Sequence, residues 1–371
     1  MKQVMGLSLT TKTPVLLSAQ PPSYNLLETL DYIPGNTVRG LLAQRYLQTD
    51  GKSDDSVFQS LFLNGKACFA PAYLDGLQVI PLSARTCKYD GGFPPGGHGV
   101  RDSLLQGGKD LRCKHINPKN TKECQAPMDY FTGYYDPSAR KAGVVAQRLI
   151  TRTAINPALG ATASARLYSQ RVIAEGQVFK GFIEVPPKLE KALEQLLATP
   201  FIAGVGTGRS RGQGWVEVAP ASWEPPPWGK ARERFGRYSE INKRPVLVVT
   251  LLSDAIFSDD YLRDRTAPLL RHLDPLRINR EDWEEDKDKD KPPPSYATTR
   301  LVGGFDGKPW LLPRMPRLAV AAGSVFCFPA KTGTTSPTIP DGDGLGWIGD
   351  LNREGYGLAL LWHPFHYDYG R

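Results

Sequence analysis

Ala203-Gly204-Val205-Gly206-Thr207-Gly208-Arg209-Ser210-Arg211-Gly212-Gln213-Gly214-Trp215 sets five glycines and two arginines between an expected helix and an expected strand. Glycine permits positive φ and brings backbone N–H groups close to a ligand, and arginine matches phosphate geometry. The order of the flanking elements decides which ligand and which fold to expect. A dinucleotide fingerprint runs strand, Gly loop, helix, so that the pyrophosphate meets a helix N-terminus. Here that order is reversed. Upstream, Pro187-Lys188-Leu189-Glu190-Lys191-Ala192-Leu193-Glu194-Gln195-Leu196-Leu197 puts Leu189, Leu193, Leu196 and Leu197 on one helical face behind a starting proline. Downstream, Trp215-Val216-Glu217-Val218 alternates as a strand does. The lysine followed by Ser or Thr of a P-loop is also missing. Two readings remain: a surface loop with its arginines in water, or a backbone clamp for RNA or DNA. In the second, Gly204, Gly206, Gly208, Arg209, Arg211 and Gly212 are the contacts.

Outward from this loop, composition sets bounds. A chain of 371 residues can hold two ordinary domains. No run of about 18 apolar residues occurs, which argues against a helical membrane span. The N-terminal stretch alternates Met5, Leu7 and Leu9 with small or polar residues, as a strand rather than a signal peptide does, and predicts a cytosolic (cytoplasmic) protein. Net charge is +8, but residues 281–291 carry −4, leaving +12 on the remainder. That excess permits a polyanionic partner. Five cysteines, an odd number, do not read as a secreted disulfide framework, and Cys68 and Cys327 lie in apolar runs as core thiols do.

The expected organisation is an N-terminal domain over 1–219 with an irregular insertion at 84–147. A Pro-rich linker at 220–243 follows, then a C-terminal domain over 244–371 with a disordered acidic loop at 281–294. The first domain reads as strand 2–10, helix 36–48 capped by Asn36 or Thr37, strands around 165–185, helix 187–198 and strand 215–219. The second reads as a buried strand from 245, a run through 318–328, and closing segments at 344–349 and 353–361. Strands with only two helices predict an α+β, ferredoxin-like (RRM-like) unit. A Gly- and Arg-containing loop before the last strand of each half looks like one unit used twice.

Combined, these residues resemble the RAMP superfamily of CRISPR effector proteins. The resemblance rests on Asp31-Tyr32-Ile33-Pro34-Gly35-Asn36-Thr37-Val38-Arg39-Gly40, Ile150-Thr151-Arg152-Thr153-Ala154-Ile155-Asn156, Arg166-Leu167-Tyr168-Ser169, Gly176-Gln177-Val178-Phe179, the Gly-rich loop and Gly323-Ser324-Val325. It covers most of both halves and is nearest to the subtype D subunit of type III. The resemblance implies two ferredoxin-like RAMP domains and a place at the crRNA 5′-handle end of a multisubunit ribonucleoprotein for antiviral defence. Its implied partners are crRNA, other RAMP subunits, the large polymerase-like subunit and, indirectly, target RNA. Pro34 and Gly35 turn into a helix whose N-terminal N–H groups favour phosphate, with Arg39 beside them; the same turn also packs the helix on its sheet. Arg148, Arg152, Arg166 and Arg171 fall where relatives make an RNA-contacting hairpin, and Tyr168 is placed to stack on a base or to pack on a sheet.

Slicing relatives cut with an aspartate upstream of the Ile-Pro-Gly element. Residues 18–30 here contain none, and Asp31 directly precedes Tyr32. A metal-independent endoribonuclease that processes crRNA or cleaves target RNA is the rival reading. It needs a base among His98, His115, His272, His363 and His366. A non-catalytic binding subunit is the expectation. Within the Gly-rich insertion, three cysteines and a histidine match a structural zinc staple. Cys87, Cys113 and Cys124 are the expected ligands; the imidazole is open between His98 and His115, and His115, beside Cys113, is taken as the fourth.

Overall fold

The computed structural model describes residues 3–18, 26–49, 51–104, 111–116, 122–156, 161–241, 245–285, 295–303 and 314–370. It is a mixed α/β fold with several sheets and few helices, in two compact units. One comprises residues 1–75, 145–224 and 353–355; the other comprises 76–144, 225–352 and 356–371. The stretch expected as an insertion thus lies mostly in the second unit. None of the described helices is long and apolar enough to cross a membrane.

The first unit is organised by the strand Gln3–Thr11. Leu7, Leu9 and Thr11 point inward at period two and are buried. It pairs antiparallel with Val178–Val185 on one side, Leu9 opposite Phe179, and with Trp215–Ala221 on the other, Leu9 opposite Val218. Phe201–Gly204 and Cys68–Phe69 complete the spatial order Phe201–Gly204, Trp215–Ala221, Gln3–Thr11, Val178–Val185, Cys68–Phe69, with Tyr73–Leu74 also on Val178–Val185. Two helices share this sheet's core. Pro187–Leu197 buries the expected four leucines. Gly35–Gln48 buries Val38, Leu41 and Leu42. Neither Asn36 nor Thr37 caps that second helix. Pro34 does, because its φ of −62° and ψ of 148° end the extended backbone there, and its carbonyl accepts from Thr37 and Val38.

The second unit has a five-stranded antiparallel sheet in the order Ser295–Tyr296, Val325–Pro329, Val246–Leu251, Leu358–Leu361, Leu345–Trp347. Val246–Leu251 is central and almost wholly buried, as its unbroken apolar run predicts. The expected run 318–328 is two strands, Arg317–Val320 and Val325–Pro329. Gly323 breaks it at φ 85°, where an added Cβ would sit 2.6 Å from the Ile80 carbonyl oxygen.

Two further expectations are corrected. Residues 220–243 are not simply a linker: Trp215–Ala221 ends inside them and Ala231–Ile241 is a helix. Nor is the acidic run disordered throughout. Trp283 is fully buried, and the carboxylates of Glu285 and Asp282 accept from the backbone N–H groups of Leu270 (2.7 Å) and Thr338 (2.7 Å). Residues 286–294 lie outside the described residues.

Candidate nucleic-acid interface and cysteine–histidine centre

In the first unit a long hairpin, Gln147–Asn156 with Ala161–Ile173, brings the resemblance's arginines to register. Directly opposite residues share a face of a ladder. Arg152 faces Tyr168, Ile150 faces Gln170 and Arg148 faces Val172, all on one side. Arg171 faces Leu149 on the other side, so the expected group divides. Arg148 is ion-paired to Glu175 at 3.1 Å with both groups half exposed. The Arg166 side chain lies outside the described residues.

The Gly-rich loop meets the Arg152–Tyr168 side. Arg211 Nη1 donates to Tyr168 Oη at 3.0 Å, and Gln213 Nε2 donates to Gln170 Oε1 at 3.5 Å. Loop and hairpin therefore form one surface holding Arg152, Tyr168 and Arg211. Arg209 and Arg211 bound a single 3-10 turn between Gly208 (φ 80°) and Gly212 (φ 77°). Much of the loop's backbone is spent inside the protein. The N–H groups of Val205, Thr207, Arg211, Gly212, Gln213 and Gly214 all donate to protein carbonyls. Gly206 instead lets the loop approach the Leu16 carbonyl, 2.1 Å from where its Cβ would be. The loop leaves Arg209 and Arg211 exposed, with Arg211 tied to Tyr168. Gln170 and Gln213 went unnoticed in sequence, although period-two alternation from Tyr168 points to Gln170.

Arg39 and the helix start behind Pro34 are also turned inward. Arg39 donates from Nη1 to the Phe62 carbonyl (3.1 Å) and from Nη2 to the Glu354 carboxylate (3.3 Å), which is buried. The Phe69 and Glu354 carbonyl oxygens lie 2.0 Å and 2.8 Å from a Cβ built on Gly35. Backbone closes over that helix end, so the packing role of the Ile-Pro-Gly turn is the one observed.

In the second unit the ligand atoms of Cys87, His98, Cys113 and Cys124 all lie within 4.8 Å of one another. The histidine is His98, correcting the assignment to His115. His115 stacks flat on the His98 ring instead, centroids 4.0 Å apart. Cys87 ends the strand Ala84–Cys87, Cys113 N–H donates to the Ala126 carbonyl, and Cys124 N–H donates to the His115 carbonyl. A tetrahedral zinc with bonds of ~2.3 Å to sulfur and ~2.0 Å to nitrogen spaces two sulfurs ~3.8 Å apart and sulfur from nitrogen ~3.5 Å apart. Cys87 Sγ to Cys124 Sγ is 3.9 Å, and Cys113 Sγ to His98 Nδ1 is 3.6 Å. The residues present fit a metal. His98 Nε2 lies 3.3 Å from Asp90 Oδ2, an outer carboxylate that orients the ring. Burial pushes the Cys87 thiol up, but N–H groups of Asp90 and Tyr89, with His98 and Cys113, bring it below its ordinary value; burial and its sulfur neighbours push Cys113 up. One clue in the sequence was passed over: ten residues separate Cys87 from His98, and ten separate Cys113 from Cys124.

All five histidines belong to the second unit. His272 Nδ1 accepts from Leu269 N–H, and its Nε2 lies 3.0 Å from the Ser258 carbonyl. His366 is fully buried between Thr250 (2.8 Å) and Asp102 (2.9 Å). His363 accepts from Phe365 N–H at Nδ1, and burial, then the neighbouring His366 and Arg234, hold it well below its ordinary pKa.

A family model described as the RAMP superfamily matches residues 8–217. No curated protein matches. Among solved structures, a chain of the Type III-B Cmr-beta bound to cognate target RNA and AMPPnP has 12% identity and a TM-score of 0.43, covering 87% of this chain and 86% of that one. A second, from the Type III-B Cmr-beta bound to cognate target RNA, has 11% identity and a TM-score of 0.44, covering 88% and 86%. Cmr4 (Cas7) of Pyrococcus furiosus has 13% identity and a TM-score of 0.28, covering 60% and 100%.

Proposed function

The chain belongs to the RAMP superfamily, and from that premise we propose that it is a non-catalytic crRNA-binding structural subunit of a type III CRISPR ribonucleoprotein. In this reading it belongs to the subtype D group, holds the crRNA 5′ handle and docks beside other RAMP subunits and the large polymerase-like subunit. The observation that carries it is the bond from Arg211 to Tyr168, with Arg152 directly opposite that tyrosine. One guanidinium holds the tyrosine hydroxyl and a second arginine stands opposite it in register, which suits phosphates and a stacked base on one strand. A ferredoxin-like reading of the first unit is supported by its order: the last strands, the first, the third and the second, with a helix in each crossover.

Zinc in the cluster would be held by Cys87, His98, Cys113 and Cys124 and would act structurally, tying a Gly-rich segment that has little core. The endoribonuclease reading lacks a supporting observation, since each histidine is engaged elsewhere and none belongs to the unit that carries the arginine surface.

The test is tagged purification from the native host with sequencing of the bound RNA and mass spectrometry of bound proteins. Short RNAs sharing one repeat-derived 5′ end, with other RAMP subunits, are expected. Protein alone, or a random RNA population, overturns the proposal. Cleavage of repeat RNA in EDTA would establish the enzyme instead.

A further inference from the structure

A second surface, in the other unit, has no part in that interface. The strands Val100–Asp102, Ala84–Cys87 and Met128–Tyr130 form a sheet in that order. Its Ala84, Val100 and Asp102 side is buried. On the opposite side Arg101, Arg85 and Tyr130 stand in one row across the three strands, each directly opposite the next. Two arginines directly opposite on a ladder repel each other, which a sheet normally avoids. Among the described residues, neither has a carboxylate partner. Arg85 is fixed by donating from Nη1 to the Leu82 and Ala84 carbonyls, both at 2.9 Å. Its guanidinium lies 3.7 Å from the centre of the Tyr130 ring. Tyr130 nevertheless remains 71% exposed, so its outer ring face is open.

Two facing arginines with no carboxylate among the described residues, Arg85 held between the Tyr130 and Tyr296 rings, match one ligand chemistry. Phosphate would neutralise the arginines, and a base would stack on the free face of Tyr130. Two strand spacings of ~4.8 Å put the ends of the row ~10 Å apart, a scale that a single nucleotide with its neighbouring phosphate can span. We propose that Arg101, Arg85 and Tyr130 form a second contact for single-stranded RNA. This rests on the reading of the chain as an RNA-binding subunit but involves none of its residues. Cys87 lies two residues beyond Arg85 on the same strand, so the cysteine–histidine centre anchors one end of this platform.

The test uses the full chain and a fluorescently labelled uridine homopolymer, with affinity read by anisotropy and contacts read by cross-linking of 4-thiouridine. Tyr130→Ala is expected to weaken binding by about fivefold or more, Tyr130→Phe to retain it, and the cross-link to map to Tyr130. Arg101→Gln is expected to flatten the salt dependence of binding. If Tyr130→Ala and Arg101→Gln bind as the parent does while Arg152→Ala does not, this second contact is wrong and the main interface stands. If they bind RNA normally but lose a co-purifying acidic protein, the row is a protein-docking surface and the inference fails. No RNA binding by the parent would overturn both.

Discussion

Gly206 and Gly212 sit in one loop at nearly the same backbone angle, φ 66° and 77°, yet do different work. A Cβ on Gly206 would collide with the Leu16 carbonyl, whereas on Gly212 it would meet nothing within 4 Å. Ala at either position carries the left-handed penalty of ~1–2 kcal/mol, and only at Gly206 is a backbone clash added. Urea unfolding should therefore show Gly206→Ala losing clearly more stability than Gly212→Ala; equal losses would mean that the loop does not seat on Leu16. The two stacked histidines separate in the same way. His98→Ala should strip zinc from protein purified without a metal-affinity column, and His115→Ala should leave about one equivalent bound. Elemental analysis by mass spectrometry decides between them, and equal loss in both would return the ligand role to His115 or to neither. Local chemistry flagged these cysteines and both imidazoles. Choosing between the imidazoles needed the fold, because no bond-length argument can be made until the chain has brought the ring to the sulfurs.

The helix Ala231–Ile241 is the element that sequence periodicity missed. Its inward stripe is Ala231, Arg234 and Tyr238, spaced as a helix requires, but the middle member is an arginine and so breaks the apolar pattern. Among the described residues Arg234 has no carboxylate within ion-pair distance, and it gives its protons to carbonyls. Nε donates to Leu361 and Trp362, Nη1 to Trp228 and Gly229, and Nη2 to Leu361 and Asp343. One side chain thus binds the helix, the Pro-rich turn before it and the edge of Leu358–Leu361. Arg234→Met removes that set and leaves buried carbonyls unpaired, which should cost about 3 kcal/mol or more. Lys in its place should rescue only part, since an ammonium has three donors and no planar fork. A denaturation midpoint unchanged in Arg234→Met would show that water replaces the guanidinium at no cost. The helix Pro187–Leu197, by contrast, was fully legible, because four leucines at helical spacing behind a proline leave no competing period.

Across the whole molecule, the positive excess outside the acidic run 281–291 permits a polyanion partner without saying where it lies. The fold divides that charge. Arg39 is neutralised by Glu354 and Arg148 by Glu175, while Arg211 donates to Tyr168, the register partner of Arg152. RNA affinity should fall steeply with salt, and Arg152→Ala should lower the log–log slope by about 0.7 if it contacts one phosphate of a single strand. Arg39→Ala should leave that slope unaltered and lower stability instead; the reverse pattern in a salt titration would overturn the division. Sequence by itself determined the helices Gly35–Gln48 and Pro187–Leu197, the buried central strands, the loop's conformational demands and the residue types able to meet phosphate or metal. Each of these follows from short-range periodicity and side-chain chemistry. Tertiary structure alone decided which arginine is matched, which face of the hairpin carries Tyr168, that His98 joins the cysteines and that residues 76–144 group with the second unit. Those outcomes depend on strand register and on chain segments far apart in sequence returning to the same place, which no local pattern encodes.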